Sequence, residues 1–274
     1  MLRLNWLLCG VLISVLPAAA WAGPYSPAAG QPGSTAIDKS DPRIVGWATS
    51  APSLIRGPQN ISVVGSPPTT VGTSTSALGI ADNSVVSLGD GGQLTVGFER
   101  AITDGPGFDF AVFENGFADT FLELAFVEVS SNGVDFFRFP AVSLTPTATQ
   151  VGSFGALDPT NLDNLAGSFR GGFGTPFDLG LLRGVSPLLD VDRVQQVRIL
   201  DVVGTIGPLF ATFDSQNHVV NDPWPTAFAS GGFDLDAVAV LHQVPEPGSC
   251  SLGLLAAVFG WTTFRRWTRG CRRV

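Results

Sequence analysis

The chain has 274 residues, 45% of them hydrophobic and 14% charged, with 33 Gly, 20 Pro, 20 Phe and a single Tyr. These proportions exclude a coiled coil, a disordered acidic tail and a disulfide scaffold, and they suit many short strands joined by tight turns. A formal net charge of −8 argues against nucleic acid as a partner, because phosphate neutralisation needs clustered Lys and Arg.

Residues 1–22 place Arg3 before an apolar run from Leu4 to Leu16 and close on Ala20-Trp21-Ala22, a small-x-small pattern. That order of charge, apolar run and small residues predicts a signal peptide cleaved after Ala22, and therefore export. Cys9 sits inside the apolar run, which does not fit a lipoprotein signal.

Residues 23–60 are rich in Pro, Ala, Ser and Gly without a sustained period, and read as an extended leader. From Ile61 to residue 243 the pattern predicts one all-β domain, an antiparallel two-sheet sandwich. Gln93-Leu94-Thr95-Val96-Gly97-Phe98 alternates polar and apolar, as a half-buried strand does. Residues 108–113 and 122–129 are apolar on both faces and suit central strands, and 197–203 and 237–241 complete the set. Asn132-Gly133 between Val- and Phe-rich flanks predicts a type I′ hairpin. Helix is confined to 158–170 and 190–196, both short and flanked by Gly or Pro. Residues 167–184 carry six Gly and three Phe and read as a Gly-rich loop insertion whose phenylalanines tuck under as a small core. Val96, Phe98, Val112, Val127, Val129 and Ile199 are the expected core of the sandwich.

The region 23–243 contains no Cys, so an exported domain here folds without disulfides. Setting aside Arg3, the five tail Arg and Glu246 leaves 9 basic against 22 acidic residues. Acidic side chains in Gly-rich turns of such a domain fit Ca²⁺, a hard cation that takes carboxylate and carbonyl oxygens. The candidate ligands are Asp90 in Gly89-Asp90-Gly91-Gly92, Asp109 and Glu114 in the run around Phe110–Phe113, and Asp234 with Asp236, two apart on a strand. The alternative is that these acids cap turns through backbone amides. Trp224, between Pro223 and Pro225, is the one rigidly presented aromatic for stacking on a polysaccharide, and plugging the sandwich edge is its alternative role.

Enzyme signatures are absent: the domain has two separated His, no zinc motif, no G-x-S-x-G elbow and no Walker loop. Paired carboxylates hydrolysing glycosides, with Glu114, Glu123 or Glu128 as candidates, remain the alternative to a non-catalytic module, and a purely structural matrix role is a third reading.

At the C-terminus, Pro245-Glu246-Pro247 is followed by an uncharged run over residues 249–264 and then by five Arg in the last ten residues. Sixteen residues as a helix span roughly 24 Å, a marginal transmembrane length, with the Arg cluster on the cytoplasmic side. This three-part order over residues 244–274 resembles the PEP-CTERM sorting signal of Gram-negative bacteria that make extracellular polysaccharide. The resemblance implies recognition of Pro245, Glu246 and Pro247 by an exosortase, anchoring in the inner membrane by the C-terminal helix, and delivery to the envelope, surface or extracellular matrix. An ordinary tail anchor is the alternative. The segments 109–116, 125–136 and 232–238 also resemble jelly-roll, galactose-binding-like surface proteins, which implies a jelly-roll sandwich, often with a structural calcium.

Overall fold

The computed structural model describes residues 23–246; the expected signal peptide, Pro247, the apolar run 249–264 and the Arg tail lie outside them. Among the described residues no helix is long and apolar enough to cross a membrane.

The described chain forms β1 (Ile37–Asp38), β2 (Gly46–Trp47), β3 (Ser50–Ile55), β4 (Val86–Ser87), β5 (Gln93–Ile102), β6 (Phe110–Glu114) and β7 (Ala125–Ser130), followed by β8 (Phe137–Arg138), β9 (Val142–Ser143), β10 (Leu162–Asp163), β11 (Phe173–Phe177), β12 (Val194–Asp201) and β13 (Asp234–Val240). One sheet runs β1-β11-β6-β13-β2, with β4 also paired to β13, and the other runs β3-β5-β12-β7-β8; β9 and β10 form a separate ribbon. Every pairing is antiparallel.

Both sheets turn apolar faces onto one core, so the architecture is the expected two-layer sandwich. Phe110, Val112, Phe177 and Val238 of the first sheet meet Leu94, Val96, Val127, Val129, Val197 and Ile199 of the second, and Phe98 packs against them from a less buried position. Alternation sets this arrangement, since the residues that enter the shared core are two apart: Leu94, Val96 and Phe98 in β5, Ala125, Val127 and Val129 in β7, and Val197 and Ile199 in β12. A second apolar cluster, Leu122, Leu124, Phe126, Leu157, Leu162, Leu165 and Val220, packs the β9–β10 ribbon region against the start of β7.

Three expectations are corrected. Residues 23–60 are not a leader: β1, β2 and β3 add to the edges of both sheets, and Ile37 and Trp47 cover the outer face of the first sheet beside Phe113 and Ala239. Residues 167–184 are not a loop insertion, because β11 lies between β1 and β6 and Phe177 stacks on Phe110 at 5.2 Å. The β7–β8 hairpin forms, with Glu128 opposite Arg138, but its connection is not a two-residue type I′ turn. Of the two turn residues only Gly133 takes positive φ, at 75°, while Asn132 Oδ1 accepts the amides of Val134 and Asp135 at 2.9 Å each. Among the described residues helix is limited to 3₁₀ turns, including Pro159–Asn161 and Val191–Arg193, each capped by the Asp before it.

Candidate metal centre

Antiparallel pairing decides which acids meet. Leu235 at the start of β13 sits opposite Glu114 at the end of β6, and Asp201 at the end of β12 sits opposite Ala125 at the start of β7. Both sheets therefore bring a carboxylate to the same end of the sandwich: Glu114 and Asp234 from one, Asp201 and nearby Glu123 from the other. The Asp90 turn and the Asp222 loop close over this end. Glu114, Glu123, Asp201, Asp222 and Asp234 are all buried, with Glu114 only 1% exposed. No Lys, Arg or His forms an ion pair with any of them among the described residues.

The electrostatics follow from burial and mutual repulsion. Desolvation holds the Glu114, Glu123, Asp201 and Asp222 carboxyls well above their ordinary range. Neighbouring charges push further the same way: Asp234 acts on Glu114, and Glu114, Asp234, Asp222 and Asp201 all act on Glu123. Burial raises Asp234 to about 6.

Hydrogen bonding separates these acids into two kinds. Asp201 is fully engaged, with Oδ1 accepting from the Phe233 amide at 2.7 Å and Oδ2 from the Gly91 amide at 2.8 Å. Glu114 Oε2 accepts from the Gly116 amide at 2.7 Å and Asp222 Oδ2 from the Leu124 amide at 3.1 Å, yet Glu114 Oε1, Asp222 Oδ1 and Asp234 Oδ1 are buried without any partner. A buried carboxylate oxygen left bare costs the desolvation of that group, and an unpaired buried charge costs several kcal/mol. Carboxylate oxygens of this kind are what a hard cation takes as ligands.

Of the acids expected as ligands, Glu114 and Asp234 belong to this group. Asp236 stands beside it and adds to the repulsion on Glu114, with Oδ1 held by the Asp82 and Asn83 amides and Oδ2 bare. A register irregularity between Leu235 and Ala237 falls at Asp236, so the pair does not follow simple strand alternation. Asp90 lies on the fringe, where Oδ2 accepts the Ile61 amide at 2.8 Å and the Trp224 indole at 3.4 Å. Trp224 is thus a half-buried brace of the Asp90 turn.

Asp109 is separate. It immediately precedes β6 and lies at the opposite end of the sandwich, where it receives the amides of Gly105 and Leu179 and contacts His242 Nδ1 at 2.9 Å. Asp104, Asp109 and Asp178 there bring one carboxylate oxygen each within 4.8 Å of one another, the one such trio among the described residues. Asp109 has both oxygens engaged, whereas Asp104 pairs with Arg183 through Oδ2 and Asp178 caps the turn at Gly180 through Oδ1. No three carboxylates of the Glu114 group meet that spacing.

Glu128, a hydrolase candidate, is tied between Arg138 and Arg198 on the second sheet. Glu123 does join the buried group and, with Asp234, lines a cleft of about 180 Å³ that opens it to solvent. Sequence reasoning did not single out Asp201 or Asp222. No protein-family model matches the chain, and no curated protein matches it significantly.

Proposed function

We propose that the chain is an exported cell-surface or matrix protein whose jelly-roll-type sandwich binds Ca²⁺ without catalytic turnover. The observation that carries this reading is the set of bare, buried carboxylate oxygens on Glu114, Asp222 and Asp234 at one end of the fold. Glu114, Glu123, Asp222 and Asp234 are the proposed acidic ring around the ion, and because no three of them bring oxygens within 4.8 Å of one another, part of the ring acts through water; Asp201 positions the two sheets around it. Oxygen donors alone, several of them anionic, select a hard divalent cation over zinc or copper. In a domain without cystines, such an ion cross-links segments that are far apart in sequence. Export and exosortase sorting rest on the residue order at 1–22 and 244–274; within it, Val244 is held to the sandwich by the hydrogen bond its amide N–H donates to the Ala101 carbonyl at 2.9 Å.

The test is thermal unfolding of chelator-treated full-length protein titrated with Ca²⁺. A ligand that binds only the folded state adds about 2.7 kcal/mol at a hundredfold excess over its dissociation constant. An unmoved midpoint at millimolar Ca²⁺ overturns the calcium reading. For sorting, replacing Pro245, Glu246 and Pro247 by Ala should leave the protein unprocessed in the inner membrane of an exosortase-bearing host, and unchanged processing refutes it.

A further inference from the structure

After β13 the chain turns back along the side of the sandwich. His242 Nδ1 meets buried Asp109 at 2.9 Å, and the His242 carbonyl accepts the Thr103 amide at 3.1 Å. Gln243 then pairs antiparallel with Ile102, and the Val244 amide donates to the Ala101 carbonyl at 2.9 Å. The place is open because β3 follows β5 only as far as Gly97, opposite Ser50, so the last residues of β5 would otherwise present an unpaired edge. Pro245 has no N–H with which to continue the ladder. Glu246 is held through its side chain instead, with Oε1 3.7 Å from Arg100 Nη1. The Pro245-Glu246-Pro247 motif thus begins where an edge pairing ends, and its one charged residue has a counterion on β5.

We propose that the sandwich withholds its own sorting motif: residues 243–246 form a strap on the β5 edge, and the motif reaches a processing enzyme only when the strap peels away. The proposal rests on the sorting reading above and adds its regulation. An enzyme that reads a short motif takes it as an extended chain with free backbone and side-chain groups. Here the backbone just before the motif is already paired, and so is the Glu246 carboxylate. Pro247 and Gly248 alone separate Glu246 from the uncharged run that starts at Ser249, a reach of about 7 Å. With the strap down, the wall of the sandwich stands that close to the start of the run, which leaves no room for an enzyme around Glu246. Peeling back to His242 frees four more residues, about 13 Å of extended chain. A terminal pairing and an exposed ion pair are among the weakest contacts of a fold, so the strap opens locally while the sandwich stays folded. The rate of processing then scales with the open fraction.

The experiment follows processing of the full-length protein by pulse-chase in an exosortase-bearing host, and hydrogen exchange at Val244 in the purified full-length protein. Arg100→Gln and Arg100→Glu should each speed processing by about two- to fivefold, the scale of one exposed ion pair, and speed exchange at Val244 by a similar factor. The melting temperature should stay at the parent's value. Adding Glu246→Arg to Arg100→Glu should restore the slow exchange, whatever it does to recognition of the motif. Replacement of Pro245, Glu246 and Pro247 by Ala is the control. If it blocks processing while both Arg100 variants are processed at the parent rate or slower, the strap is overturned and the sorting reading stands. If the alanine variant is processed like the parent, the sorting reading falls and the strap's role falls with it. Unchanged exchange at Val244 in Arg100→Glu, or exchange that the charge swap does not restore, also overturns the strap. A lower melting temperature in both Arg100 variants places Arg100 in the global fold and overturns the local opening.

Discussion

Phe233 donates its amide to Asp201 Oδ1 at 2.7 Å, and this bond ties the end of β12 to the segment that leads into β13 in the opposite sheet. The other oxygen of Asp201 receives the Gly91 amide, so one side chain satisfies two buried backbone donors across the open end of the sandwich. Asp201→Ala leaves both amides bare and unlinks the sheets at that end. The expected loss is about 2 kcal/mol, the scale of buried unsatisfied donors net of the relief from removing one charge. Denaturant unfolding with and without Ca²⁺ measures it, and an unchanged midpoint in chelator contradicts the stapling role.

Asp234 has the opposite energetic character. Its Oδ1 is buried without a partner, and its carboxyl is raised to about 6, so at neutral pH the ionised form opposes folding in the absence of a cation. Asp234→Asn removes that charge with little change in shape. In chelator the variant should be more stable than the parent by about 2 kcal/mol, or roughly 4–8 °C for a domain of this size. It should also lose most of the response to Ca²⁺. A variant that is less stable in chelator, or that keeps the full response, refutes the assignment of Asp234 as a ligand.

The two sheets were legible because their strands carry local signals. The alternation at Gln93–Phe98 and the apolar runs of β6, β7, β12 and β13 all lie close to where periodicity places them. β11 was hidden, since Phe173-Gly174-Thr175-Pro176-Phe177 combines residues that weaken strands, and its place between β1 and β6 is fixed by packing: Phe177 against Phe110 and Phe139. The two-residue strands β1 and β2 carry no period at all. Two of the five acids were equally silent: Asp201 and Asp222 are single acids whose meeting depends on topology, while Glu123, between Leu122 and Leu124, stood out only as a hydrolase candidate. Asp109 shows the converse error: it is five residues from Glu114 in the same run, but the length of β6 sends the two to opposite ends of the fold.

Gly167 tests how the backbone positions Glu123. Its φ of +82° lies in the left-handed region, and a Cβ there would stand 1.8 Å from the Glu123 carbonyl oxygen. Gly167→Ala must therefore move the segment that carries Glu123. The expected cost is about 2–3 kcal/mol, from the disfavoured backbone region and the clash, together with weaker Ca²⁺ binding. Thermal unfolding in chelator and a Ca²⁺ titration separate the two effects. Parent-like behaviour in both measurements contradicts this account of the site.

The last prediction concerns pH in the absence of metal. Glu114, Glu123, Asp201, Asp222 and Asp234 all have folded-state pKa values above those of an unfolded chain. Between the two values the folded protein holds more protons, so stability rises as pH falls, the reverse of ordinary acid denaturation. For Asp234 the window runs from about 6 down to the ordinary 3.8 of a free aspartate, and it is worth about 3 kcal/mol over that span. Asp38 and Asp41 work the other way: hydrogen bonds to Ser40 and Arg43 hold them low, so their smaller contributions are lost below about pH 4. Chelated protein should accordingly melt higher at pH 5 than at pH 7.5. Saturating Ca²⁺ should abolish or invert that difference, because the cation needs the carboxylates ionised and is displaced by protons. A chelated protein that loses stability steadily from pH 7.5 to pH 5 would show that these carboxylates are not held protonated by burial.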